Sequence, residues 1–336
     1  MTKSNLFISV RNVIKPKDGT PYFGNEPGTT TYLDIPNGEK PHPENHRVNL
    51  KSWIAEVLSR AEVGKYKDGE GGQSMDGYSY GDLLIFVHGY NNSMEVVMKR
   101  HDLLQKRLSE KGFKGAIISF DWPSDARTLN YLEDRSDAKA TASKLVKDGI
   151  ALLAANQVAE DRNKCDIDVH LLGHSTGAYV IREAFYEANQ NRRLSRINWQ
   201  VSQIVFIGGD IARRSLSARN PKSQALFQHS VRITNYQNPF DRALKLSNVK
   251  RFGVSPRIGR VGVPDNKPET VVNVNVGDHW RELKRSDNNS DGSWSHSWHF
   301  DDPTFADDLV YTLNGDIDRN SIPTRVLQNG NLTLKK

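Results

Sequence analysis

Five residues, Gly173-His174-Ser175-Thr176-Gly177, carry the most specific chemistry in the chain. They follow an apolar segment, Ile167 to Leu172 (IDVHLL), and precede a helical one, AYVIREAFYEANQ. A G-x-S-x-G between a strand and a helix is a nucleophile elbow: the serine occupies a tight, strained turn, and the flanking glycines leave room for crowded backbone. The N-terminus of the following helix favours negative charge developing at Ser175. A hydroxyl becomes an effective nucleophile only when a base takes its proton, and that base needs a carboxylate to set its tautomer and stabilise its cation. Upstream, the strand Leu83 to Val87 (LLIFV) runs into His88-Gly89-Tyr90-Asn91-Asn92, a loop whose glycine lets backbone come close enough to aim an N–H at an oxyanion.

Other chemistries find little support. His42 and His46 flank PEN in a proline-rich loop rather than sharing a helix face, and the single cysteine, Cys165, excludes a thiolate zinc cluster. No G-x-x-x-x-G-K-[ST] occurs, and no G-x-G-x-x-G follows a strand, so nothing cradles a nucleotide. Neither a metal nor an organic cofactor is expected, nor is a nucleic-acid partner.

The elements around these motifs alternate. Strands are predicted at Leu83 to Val87, Ala116 to Phe120, Ile167 to Leu172, Gln203 to Ile207, Ser230 to Asn235 and Val271 to Val276, with helices at Met94 to Lys111, Leu132 to Ala155 and Thr176 to Gln190. Such alternation predicts an α/β fold with a mainly parallel, doubly wound sheet and helices on both faces, whose ligands bind beyond the carboxyl ends of the strands. Before it come a strand at Asn5 to Val13, a loop rich in Pro, Gly and Thr at Lys15 to Glu44, and a helix at Val48 to Ala61 with Leu50, Ile54, Val57 and Leu58 on its apolar face. Lys65 to Gly81, with five glycines, reads as a mobile surface loop. The 336 residues thus divide into an N-terminal extension (1–81), a catalytic domain (82–315) and a C-terminal tail (316–336).

Composition narrows the setting. With 26% charged residues and 12 Phe, 11 Tyr and 6 Trp, the chain has the aromatics that a disordered protein lacks. A lone cysteine, no signal-peptide h-region and no apolar run long enough to span a bilayer predict a soluble cytoplasmic protein. The net charge of +6 is regional, because residues 191–260 hold 14 Lys and Arg against only Asp210 and Asp241. That stretch reads either as a solvated face or as an attraction for an anionic substrate or surface.

The blocks FVHGYNNS, SFDWPSD, HLLGHSTGAYVIREA, NYQNPFDRALKLS and HSWHFDDPTFADDL resemble a bacterial lipase- or esterase-like branch of the α/β-hydrolase superfamily, most of whose members have no assigned substrate. The resemblance runs from about Leu83 to Leu313 and leaves the first 80 residues outside, as an extension peculiar to a subset. It implies that the backbone N–H groups of Tyr90 and Thr176 form the oxyanion hole, with His88 bracing the loop. It also implies the chain order serine, acid, histidine. Asp241, after the later strand, is the favoured acid; Asp210 is the reserve, otherwise a cap or a partner of Arg213 or Arg214. Order leaves His279, His296 and His299 as bases, since His174 adjoins the serine with its side chain directed away. The HSW segment resembles the family's histidine block at His296; His299 is the alternative and His279 reads as structural. Trp280, Trp294 and Trp298 crowd this segment, either as packing or as an aromatic wall for an acyl group.

The implied activity is a serine hydrolase that cleaves a small-molecule or lipid carboxylic ester through an acyl-enzyme. The same residues would also serve an amidase or thioesterase, and a non-catalytic binding protein on a hydrolase scaffold is a further alternative.

Overall fold

In the segment LLIFV, Leu83, Ile85 and Val87 point to one side and Leu84 and Phe86 to the other, and all five are fully buried. A strand apolar on both faces must be covered on both. The computed structural model of the protein, which describes residues 4–67, 79–124, 141–150, 165–192, 199–245, 255–283 and 293–335, shows how. Strands β1 (Ser4–Ile14), β2 (Tyr22–Pro36), β3 (Glu62–Lys65), β4 (Ser79–Val87), β5 (Ala116–Asp121), β6 (Cys165–His174), β7 (Val201–Ile207), β8 (Ser230–Gln237), β9 (Val271–Asn275), β10 (Arg325–Gln328) and β11 (Asn331–Leu334) form one sheet. Its order is β10-β11-β9-β8-β7-β6-β4-β5-β1-β2, with β3 paired to β4. From β11 to β1 every neighbouring pair is parallel, and β2, β10 and β3 are antiparallel additions.

One core layer gathers Trp53, Val57 and Ala61 of α1 (Leu50–Ala61), residues of the helical stretch 141–150, and Ala178, Ile181 and Phe185 of α2, which spans Thr176–Gln190. The other gathers the helices Met94–Glu110 and Pro303–Asn314 with Trp298 and Phe300. Local chemistry sets the helix ends. Asn49, Ser93 and Asp302 each accept a backbone N–H as N-caps, and Gly315 closes the last helix in the left-handed conformation.

The N-terminal segment differs from the sequence expectation. Lys15 to Glu44, expected as loop, contains the 15-residue β2, which pairs with β1. The β-branched and aromatic run Thr29 to Ile35 and an available antiparallel partner override the glycines and prolines. Helix α1 starts two residues later than expected and buries Trp53, Val57 and Ala61, leaving Leu50 exposed. Lys65 ends β3 and Ser79 begins β4, so both ends of the expected glycine-rich loop lie in strands; residues 68–78 lie outside the described residues. Of the expected helix Leu132 to Ala155, only 141–150 are described, and they close in a π-helical turn, Val146–Ile150. At the other end, the hairpin of β10 and β11 continues the sheet. Among the described residues no helix is long and apolar enough to cross a membrane.

Candidate active site

The chain leaves β4 toward β5 on one side and returns to β6 on the other, so the ends of β4 and β6 mark the point where strand order reverses. Crevices at such points are where α/β sheets place ligands. Ser175 stands there, between β6 and α2, with φ 56° and ψ −123°. This is a conformation few non-glycine residues adopt, and strain of that kind gathers at functional sites. Both glycines of the motif are sterically required: a Cβ on Gly173 would lie 2.9 Å from Ala178 backbone, and one on Gly177 would lie 2.1 Å from the Val87 carbonyl oxygen. The turn is tied to β7, because Ser175 N–H donates to the Ile207 carbonyl (3.0 Å) and the Ser175 carbonyl accepts from Asp210 N–H (2.9 Å).

Asp241 and His296, 55 residues apart in the chain, are brought together: Nδ1 lies 2.6 Å from Asp241 Oδ2. The carboxylate accepts from Nδ1–H, so Nε2 is the ring nitrogen turned away from the pair. Asp241 is buried, and its other oxygen accepts from Leu244 N–H at 2.9 Å. The histidine segment is held from the same side, since Asn238 Nδ2 donates to the Ser295 carbonyl (3.0 Å) and Arg242 N–H to Ser295 Oγ (3.0 Å). The pair lies against the serine turn, for a Cβ on Gly208, which follows Ile207, would sit 2.9 Å from His296 Cε1.

The alternatives are placed elsewhere. Asp210 forms an ion pair with Arg257 at 2.9 Å, not with Arg213 or Arg214. His299 is buried and stacked on Trp298 with ring centres 4.2 Å apart, and burial together with His296 and His279 pushes its pKa well down. His279 Nε2 lies 3.0 Å from Asp302 Oδ1.

The loop after β4 reaches the serine, since a Cβ on Gly89 would be 2.7 Å from Ser175 Cβ. His88 Nδ1–H donates to the Gly89 carbonyl (2.8 Å), its Nε2 accepts from Trp122 N–H (3.0 Å), and burial pushes its pKa down, so it braces the loop as a neutral ring. Tyr90 occupies this loop, and Thr176 is the first residue of α2, where helix geometry gives N–H no carbonyl within the helix. Thr176 Oγ1 is buried with no partner among the described residues.

Two residues to which the sequence assigned no role in the chemistry join the site. His174 lies beside His296, ring centres 4.8 Å apart, and its Nε2–H donates to the His296 carbonyl at 3.1 Å. Burial, then Arg100 and His296, push its pKa well down and keep it neutral. Arg100 donates to Asn92 Oδ1 (2.9 Å) and Ser297 Oγ (3.2 Å) and lies 3.5 Å from His174 Nδ1. Its guanidinium therefore joins the β4 loop, the serine turn and the histidine segment. Burial pushes its pKa down to about 10. Spacing in the sequence carries no signal for these contacts, since Arg100 is one of several charged residues on an amphipathic helix. Among the described residues no group of three His, Cys, Asp or Glu side chains is placed to hold a metal ion.

A mostly parallel sheet wound on both faces, with its ligand end at the reversal of strand order, is the fold of the α/β hydrolases. Residues 73–290 match the family described as alpha/beta hydrolase of unknown function (DUF900), and the chain belongs to that family. It is thus a hydrolase, with β1, β2 and α1 before the matched span and His296 just after it. No curated protein matches the chain.

Proposed function

We propose that the protein is a serine carboxyl-ester hydrolase with Ser175 as nucleophile, His296 as base and Asp241 as its orienting acid. The observation that carries the reading is the 2.6 Å contact of Asp241 with His296 Nδ1, next to a serine at φ 56° on a strand-to-helix turn. With Nδ1–H given to Asp241, His296 Nε2 takes the Ser175 proton as Oγ attacks the ester carbonyl. The carbonyl oxygen gains negative charge, which the N–H groups of Tyr90 and Thr176 stabilise. The imidazolium then protonates the departing alcohol and leaves an acyl-serine. Water, deprotonated by the same nitrogen, attacks the acyl-serine; the acyl–Oγ bond breaks, the imidazolium returns its proton to Ser175 Oγ, and the acid leaves.

Phe240, 40% exposed beside Asp241 and stacked on the half-buried Trp280 at 5.7 Å, supports an apolar acyl or lipid chain at the mouth. Arg242 and Lys245, exposed on the next turn, favour an anionic substrate or surface, whereas Arg257 of the same basic stretch is consumed by Asp210. An amidase or thioesterase uses the same steps, because each begins with attack on an acyl carbonyl. A fluorophosphonate probe tests the nucleophile, because only an activated serine labels; labelling of the wild type and not of Ser175→Ala is expected. A panel of nitrophenyl esters of graded chain length then tests the ester class, and hydrolysis of none of them would refute it.

A further inference from the structure

The loop proposed to form the oxyanion hole is held by a residue from outside the family-matched span. Arg11 lies on β1, yet its Nη2 donates to the Asn92 carbonyl at 2.9 Å, across 81 positions of sequence. Its Nε lies 3.0 and 2.9 Å from the two carboxylate oxygens of Asp121 at the end of β5, and its Nη1 donates to Asn25 Oδ1 at 2.9 Å. Both charged side chains are almost wholly buried. The backbone explains the aim. The β1–β2 register is irregular on each side of Arg11, which stands opposite Pro27, a residue with no N–H to give. Arg11 N–H turns instead to Ser9 Oγ at 3.4 Å. Such irregularities redirect a side chain beside functional sites.

Beyond Arg11 the contacts lead to the serine. Asn92 Nδ2 donates to the Gly89 carbonyl at 2.7 Å, and Gly89 abuts Ser175. Asn92 N–H donates to Ser124 Oγ at 3.2 Å, so this residue is held through its N–H, its carbonyl and its side chain.

We propose that Arg11 is a positioning residue for the oxyanion loop, so that the N-terminal extension completes the active site. This rests on the reading of Ser175 as nucleophile. Oxyanion donors act through fixed placement, and a guanidinium holds a carboxylate and a carbonyl from separate nitrogens of a rigid planar fork, a geometry the single ammonium nitrogen of lysine does not reproduce.

The test uses the full chain with Arg11→Lys, and with Arg11→Met/Asp121→Asn, which removes both buried charges together should the first variant fail to fold. Kinetics with a nitrophenyl ester are expressed per active site, titrated to completion with fluorophosphonate, and a trifluoromethyl ketone serves as analogue of the tetrahedral intermediate. In either variant kcat is expected to fall roughly 10- to 100-fold with KM within about twofold, and analogue affinity to fall by the same factor. The pH at which kcat/KM rises, set by the base, stays in place. A merely structural Arg11 would lower the number of titratable sites and leave these per-site values alone. Wild-type kcat and analogue affinity per site would overturn the proposal and leave the Ser175 reading standing. Failure of wild-type Ser175 to label would remove both.

Discussion

Two buried carboxylates show how one fold spends charge in different ways. Asp308, on the last helix, is closed on all sides: Oδ1 accepts from Thr324 Oγ1 (2.6 Å) and Arg325 Nε (2.9 Å), and Oδ2 from Arg325 Nη2 (2.7 Å) and Tyr236 OH (2.6 Å). Arg325 reaches further to the Arg319 carbonyl and Thr312, so both members of the pair are satisfied within the core. Asp241 is as deeply buried but holds a histidine whose ring is 12% exposed and whose second nitrogen faces away from the carboxylate. A closed network fixes the strands it joins; an open one leaves a nitrogen, the proposed base, at the surface of the core. The same contrast separates Arg325 from Arg100, whose described partners are all neutral.

The sharpest way to break this contrast is to remove the reactive atoms. Ser175→Ala is expected to cut ester turnover by about four or more powers of ten, and Asp241→Asn by about four, through a wrong His296 tautomer. Both effects should fall mainly on kcat. Both variants should unfold within about 1 kcal/mol of wild type, because neither leaves an unpaired buried charge. Wild-type kcat in purified Ser175→Ala would overturn the assignment of the nucleophile. A Tm collapse in Asp241→Asn with normal turnover in the folded protein would make the Asp241–His296 pair structural, like its counterpart at Asp308.

Breaking the closed network should do the reverse. Arg325→Met leaves Asp308 charged without its cation, which costs about 3–5 kcal/mol, while Arg325→Met/Asp308→Leu recovers much of that loss. Urea unfolding of the two variants measures it. Per-site kcat should remain near wild type in both; a loss of kcat per site would mean that the network serves the site after all.

These assignments differ in how far the sequence alone could carry them. Ser175, the strands from β4 to β9 and the candidates Asp241 and His296 were legible because motif chemistry and chain order are local or one-dimensional properties. β2 was not, since its glycines and prolines mark turns and only pairing with β1 makes them strand. Choosing Asp241 over Asp210 from residues alone was equally out of reach, because the decision lies in Arg257 taking Asp210 across 47 positions. Arg11, Arg100 and His174 make hydrogen bonds between segments distant in the chain, which no periodicity encodes.

A smaller effect follows from the neutral histidines packed around the site and core. Burial pushes His101 down to about 4 and also lowers His88, His174 and His299. The unfolded chain takes up protons below about pH 6.5 that these folded rings refuse, so stability is retained above that pH and falls as pH drops toward 4. His101 alone accounts for about 3 kcal/mol between pH 7 and pH 4. Urea midpoints measured across that window should fall steadily, and less steeply in His101→Gln. A midpoint that stays level from pH 7 to pH 5 would show that the rings are not held neutral.

The finest test concerns Thr176, which offers two groups to the site. Its N–H belongs to the proposed oxyanion hole, whereas its hydroxyl is buried with no partner among the described residues. An unpartnered buried hydroxyl costs stability, and valine replaces it with a methyl of similar size on the same β-branched frame. Thr176→Val is therefore expected to raise stability by about 0.5–1 kcal/mol and to leave kcat within about threefold, because the backbone N–H is untouched. Thr176→Ser, which keeps the hydroxyl and loses the methyl, should lower stability without changing kcat. If valine instead lowers kcat tenfold while serine does not, the hydroxyl itself meets the substrate. Thr176 would then contribute two donors, and its unpartnered oxygen would belong with the open nitrogen of His296 rather than with the closed network around Asp308.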